Sequence, residues 1–96
     1  MKTLYVRPIR LTTSGVAIDR PCLVTNLSVT AQGADLTVNL RNGGATSPIY
    51  WTIEADASAG SQSVEFCHGL KFEKNVYIEM LGGDANSSVC IAVNEP

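Results

Sequence analysis

The segment Asp35-Leu36-Thr37-Val38-Asn39-Leu40-Arg41-Asn42-Gly43-Gly44 decides the fold. Leu36, Val38 and Leu40 fall on one parity; Thr37, Asn39 and Arg41 fall on the other. A repeat of two belongs to a strand with one buried face, whereas a helix spaces its apolar residues three and four apart. Asn42-Gly43-Gly44 follows with residues that accept the positive φ angles of a hairpin turn. The same alternation recurs on both sides. Ile49, Trp51 and Ile53 share a parity, as do Val64 and Phe66, Leu70 and Phe72, then Val76, Ile78 and Met80, and finally Val89, Ile91 and Val93. Each set predicts a strand with those residues inward, which places Trp51 in the core and Tyr50 and Tyr77 on outer faces.

Toward the N-terminus, Leu23, Thr25, Leu27 and Val29 predict another long inward-facing set, and residues 16–18 a short strand. Leu4 and Val6 share one parity and Ile9 and Leu11 the other, with Pro8 at the switch. Proline lacks an N–H and belongs on edges or bulges, so residues 1–12 read as a bent edge strand or a docking arm. Gln32-Gly33, the polar stretch 56–61 and Gly82-Gly83-Asp84 separate the strands. Stretch 56–61 reads as a flexible loop, since Ser and Gly weaken a helical start. Residues 70–81 contain no Gly or Pro, yet their apolar positions fit alternate spacing better than helical spacing. The expectation is an all-β chain: residues 1–96 as a single small β-sandwich, jelly-roll or Ig-like, of seven or eight short antiparallel strands.

Composition narrows the function. A core of this size is modest, which favours self-association. With 7 basic and 9 acidic residues the net charge is −2, which gives no basic field for nucleic acid. The charge is uneven: Lys2, Arg7, Arg10 and Arg20 oppose only Asp19 in residues 1–20, while acidic residues dominate the rest. No apolar run is long enough to span a membrane. Arg7 and Arg10 interrupt what would otherwise begin like a signal peptide, so synthesis in a reducing cytoplasm is expected. Cys22, Cys67 and Cys90 are odd in number, far apart and without C-x-x-C spacing, which suggests reduced, mostly buried thiols.

No catalytic, cofactor-binding or metal-binding residues are predicted. Cys67 beside His68 has the composition of a nucleophile and its base, but neighbours on a strand point to opposite faces. The carboxylates are scattered singly, and no phosphate loop, nucleophile elbow or zinc helix motif occurs. Asp84-Ala85-Asn86 is only a fragment of a calcium loop.

The order of elements carries a resemblance. An apolar strand and Gly turn precede Leu36-Thr37-Val38-Asn39-Leu40-Arg41-Asn42-Gly43 and a loop with Ala59-Gly60-Ser61. Val64-Glu65-Phe66, Gly69-Leu70-Lys71-Phe72, Val76-Tyr77-Ile78-Glu79 and a closing alternating strand follow. This layout resembles the small virion structural proteins of tailed bacteriophages, among them capsid decoration (cement) proteins and knob-type β-domains. The resemblance implies a non-enzymatic homo-oligomer, with a trimer favoured. It implies a place on the virion exterior, bound to the major capsid protein or other virion proteins. Strand addition at an open edge is an economical way for a small β-domain to associate. The segment 4–11 is the expected contact, through Leu4, Tyr5, Val6, Arg7 and Arg10, with the arginines on an acidic capsid surface. The alternative is a carbohydrate- or receptor-binding module that uses Tyr50 and Tyr77 as an exposed aromatic pair.

Overall fold

A computed structural model describes residues 6–58 and 60–94 of the chain, and of residue 6 the backbone alone. Its elements are β1 (Val6–Leu11), β2 (Gly15–Ile18), β3 (Cys22–Thr30), β4 (Leu36–Arg41), β5 (Ile49–Ala55), β6 (Ser61–Phe72), β7 (Val76–Gly82) and β8 (Ser88–Asn94). They form two four-stranded sheets, ordered β1-β8-β3-β6 and β2-β7-β4-β5. Every pairing is antiparallel. The pairs β1/β8, β2/β7, β3/β6 and β4/β5 nest inside one another, like a single long hairpin with its tip at the β4–β5 loop. Rolling that hairpin into two layers adds the β3/β8 and β4/β7 pairs. This is the jelly-roll order. Apart from β4–β5, every consecutive pair of strands changes sheet, which excludes the Ig-like alternative.

The alternation that predicted β4, β7 and β8 holds. Leu36, Val38, Leu40, Val76, Ile78, Val89, Ile91 and Val93 are fully buried between the layers, with Phe72 beside them. Each such side chain contributes about 1.5–3 kcal/mol by leaving water. Residues 70–81 are the end of β6, a turn and β7, as their spacing implied.

Three expectations are corrected. In β3 the buried residues are Cys22, Val24, Leu27 and Val29. The register slips between Val24 and Asn26, so a bulge at Thr25 resets the parity, and its hydroxyl donates to the Ala92 carbonyl at 3.1 Å. In β1 the register against β8 runs unbroken from Val6 to Leu11, through Pro8. Ile9 and Leu11 pack against the core, so residues 6–11 form the edge strand of the two expected readings, without a register slip at Pro8, and not an arm. An edge position tolerates the missing N–H of Pro8. Third, only Cys22 is buried; Cys90 is half-buried and Cys67 exposed, although none of the three is in a disulfide.

Asp56, Ser58 and Gly60 are tied together by hydrogen bonds. The Asp56 carboxylate accepts from the Ser58 amide at 2.8 Å and the Ser58 hydroxyl at 2.7 Å. The Asp56 carbonyl accepts from Gly60 N–H at 3.0 Å. Among the described residues no helix is long and apolar enough to cross a membrane.

Candidate functional site

β5 departs furthest from its predicted pattern. Trp51 is 38% exposed, Ile49 46% and Tyr50 36%, and only Ile53 of the expected inward set packs on the core. Two features of the fold cause this. β5 is the last strand of its sheet, so its inward side chains meet the open side of the sandwich. The register also slips at the start of the strand: Trp51 stands opposite Leu40, but Ile49 stands opposite Arg41. Tyr50 is the extra residue. This bulge turns Tyr50 and Trp51, though consecutive, toward the other sheet. Trp51 makes an edge-to-face contact with Phe66 at 4.9 Å, and Tyr50 lies 5.2 Å from Phe72, both rings of β6. The sequence signal for the bulge is the triplet Ile49-Tyr50-Trp51, which breaks the alternation.

A polar cluster fixes that bulge. Asn42, 7% exposed, donates through Nδ2 to the Tyr50 hydroxyl at 3.0 Å and to Glu73 Oε2 at 2.9 Å. Its Oδ1 accepts from Lys74 N–H at 2.9 Å. The Tyr50 hydroxyl donates to Glu73 Oε2 at 2.8 Å. Asn75 exchanges two bonds with the Gly43 backbone, each 2.9 Å. The β4–β5 loop, β5 and the β6–β7 turn are thereby tied together. The Tyr50 hydroxyl lowers the Glu73 pKa, and the Glu73 carboxylate raises that of Tyr50.

On the outer face of the same sheet, Thr52 donates to Asn39 Oδ1 at 2.7 Å, Asn39 Nδ2 donates to Glu79 Oε1 at 2.7 Å, and Arg41 Nη2 donates to Glu79 at 3.1 Å. Arg41 Nη1 also reaches the Ser47 carbonyl at 2.6 Å. Asn39 and then Arg41 lower the Glu79 pKa. Around this network lie Val16, Leu81 and Ile49, and Tyr77 stands between Val16 and Arg41 in the ladder. The exposed large apolar side chains of the described residues, Val16, Ile49, Tyr50, Trp51 and Leu81, all belong to the β2-β7-β4-β5 sheet.

The expected contact residues are dispersed. Leu4, Tyr5 and the side chain of Val6 lie outside the described residues. Arg7 stands opposite Val93, whose side chain faces the core, and Arg10 opposite Cys90 on the outer face. The two arginines therefore point to opposite sides of β1 and do not form one basic patch, because their spacing is odd. Tyr50 and Tyr77 are not neighbours either: β4 separates their strands. Tyr50 faces Phe72, against the outward position that parity gave it.

Cys67 and His68 correct the expectation in the other direction. Residues 66–69 of β6 bulge opposite the single residue Thr25, with Gly69 at φ +83°. The bulge brings Cys67 Sγ to 3.9 Å from His68 Nε2, both exposed. Among the described residues, no three His, Cys, Asp or Glu side chains gather as metal ligands would. Comparison of the chain with family models, curated proteins and solved structures yields no match.

Proposed function

We propose that this domain is a non-enzymatic structural protein of a tailed-phage virion. In this reading it docks on the capsid exterior as a decoration protein and stabilises the particle. One observation carries the reading: the exposed large apolar side chains of the described residues all belong to one sheet, Val16, Ile49 and Leu81 around a hydrogen-bonded polar network on its outer face and Tyr50 and Trp51 at its open edge. Apolar exposure concentrated on one sheet, with two aromatic residues at its open edge, suits a protein-binding surface. The jelly roll is a recurrent architecture of virion and lectin domains, and the order of strands and turns resembles that of small virion proteins. The partner is the major capsid protein or another virion protein.

The test is to raise antibody against the chain and examine particles from cells that produce it. The chain should sediment with particles at a fixed ratio to the major capsid protein, and antibody should label their exterior in micrographs. Recovery of the chain only in the soluble fraction refutes the reading. The carbohydrate-binding alternative now rests on Tyr50 with Trp51, which are adjacent and exposed, in place of Tyr50 with Tyr77. A glycan screen in which loss of binding follows Trp51→Ala but not Tyr77→Ala favours it.

A further inference from the structure

A two-layer sandwich has four edge strands, and an open edge invites another strand unless something blocks it. Two edges here are blocked. β1 carries Pro8, with exposed Arg7 and Arg10 near it. β2 has four residues and a register slip between Val16 and Ile18. β6 is interrupted by the 66–69 bulge, which leaves 61–65 regular against β3 but with no exposed large apolar side chain there. β5 differs. It has seven residues, no proline, no lysine or arginine, and one charge, Glu54. Its bulge lies at its first residues, which leaves 51–55 regular against β4. Among the described strands none pairs its other side.

We propose that β5 pairs with β5 of a second copy of this chain, antiparallel about a two-fold axis at Thr52. The two β2-β7-β4-β5 sheets then join into one continuous sheet. An edge that meets itself needs no second open edge, and among the four edges only β5 combines a regular stretch with exposed large apolar side chains. The charge pattern selects the direction. With Thr52 on the axis, Trp51 stands opposite Ile53 of the second copy on the inward side, and Glu54 stands opposite the uncharged bulge at Tyr50. The two Glu54 carboxylates then stand four residues apart along the strands, on the order of 14 Å, beyond a Debye length of about 10 Å. Parallel pairing in register would stack Glu54 on Glu54.

The join also covers the aromatic side wall. An aromatic side chain presents about 150–250 Å². Tyr50 and Trp51 at 36% and 38% exposure therefore leave on the order of 100–200 Å² per copy. That is below the roughly 800 Å² per partner of a standard interface, so the dimer is concentration-dependent. The closed two-fold replaces the expected trimer, and the inference stands independently of any place on a virion.

The experiment is sedimentation equilibrium of the full chain from micromolar to millimolar concentration. The wild type should pass from monomer to dimer. Thr52→Lys and Thr52→Asp each set like charges across the axis, so each alone should stay monomeric, and their equimolar mixture should dimerise again. Leu81→Lys, on the outer face of β7, should dimerise like the wild type. Thr52 is exposed, and urea melts establish that each variant is folded. Independently of the variants, amide exchange in residues 51–54 of the wild type should slow as concentration rises. A wild type that stays monomeric at millimolar concentration, or forms trimers, overturns the proposal. So does a dimer that survives either Thr52 variant, a mixture that fails to pair, loss of dimer in Leu81→Lys, or concentration-independent exchange.

Discussion

Asn42 is the residue whose replacement tests most of the site geometry. Its side chain makes three hydrogen bonds that join the β4–β5 loop, β5 and the β6–β7 turn. A buried hydrogen bond contributes about 0.5–1.5 kcal/mol net. Tyr50 is partly exposed and can turn to water, so Asn42→Ala should cost about 2 kcal/mol in all, toward the lower end of the sum. Asn42→Asp should cost more at pH 7. It keeps an acceptor for Lys74 N–H but replaces the Nδ2 donor, 2.9 Å from Glu73 Oε2, with a second carboxylate oxygen. Two carboxylates in one site cannot both ionise freely, so the introduced group's folded pKa rises above its unfolded value of about 4. The variant's folded state then binds that proton more readily than its unfolded state. The matching stability is present at low pH and lost as pH rises through the folded pKa. Glu73 in the wild type behaves oppositely: its pKa is lowered, chiefly by the Tyr50 hydroxyl, and its contribution is lost on acidification. The gap between wild type and Asn42→Asp should therefore narrow from pH 7 to pH 4, while Asn42→Ala shows no such proton-linked recovery. Urea denaturation followed by the fluorescence of Trp51, the one tryptophan, measures this. If Asn42→Asp is no less stable than Asn42→Ala at pH 7, or its gap does not change with pH, the cluster is not arranged as described.

Gly82 sits at φ +94°, and a Cβ there would fall against the Asp35 carbonyl, backbone that cannot swing aside. Gly82→Ala should cost about 2–4 kcal/mol from the positive φ and the displaced Gly83 N–H···O=C Asp35 bond. Gly15→Ala, with open space around it, should be within about 1 kcal/mol of neutral in the same melts. Maleimide should label native Cys67 first, Cys90 more slowly and Cys22 only on unfolding, an order set by exposure; peptide mapping of a time course reads it. Deleting residues 1–12 should unfold the chain in circular dichroism, because it removes β1 and the packed Ile9 and Leu11. Thermal melts should show stability falling as pH drops below about 4. The lowered pKa values of Glu73, Glu79 and Asp56 mean that their contributions hold above the unfolded values and disappear through the folded ones; a midpoint unchanged from pH 5 to 2.5 contradicts this.

Parity reads only the side of a strand, which is why β4, β7 and β8 were legible and β5 was not. In an interior strand, a residue on the inward side is buried because both neighbours and the opposite sheet cover it. Leu40 and Ile78 meet all three conditions. Trp51 has the same parity as a buried residue, but it lies on an edge strand, and edge position depends on strand order. Strand order in a jelly roll comes from pairings between residues far apart in the chain, such as Val6 with Asn94, which no local pattern encodes. Bulges caused the other misreadings. At Thr25 and Tyr50 a ladder position holds an extra residue and the parity reverses across it, whereas β6 keeps one parity across its 66–69 bulge, with Val64, Phe66, Leu70 and Phe72 all inward. In the charged N-terminal segment the odd spacing of Arg7 and Arg10 sends them to opposite sides of β1, so their count in the sequence does not make a patch.

The bulge at Tyr50 joins the polar end of the sandwich to its open edge. Without the extra residue, Tyr50 would face outward, and its hydroxyl would lie far from Asn42 and Glu73. With it, the hydroxyl enters that cluster while the ring closes on Phe72. Trp51 then begins the regular part of β5 facing Phe66. The loops at one end of the molecule thus set which side chains line the edge and where the pairing-competent stretch begins. Substitutions at Asn42 and at Thr52 should accordingly differ in kind. The first loosens the presentation of β5 and lowers stability together with association. The second leaves the bulge in place and costs the fold only the Thr52–Asn39 hydrogen bond, so measuring stability and dimerisation on the same two proteins separates the scaffold from the surface it displays.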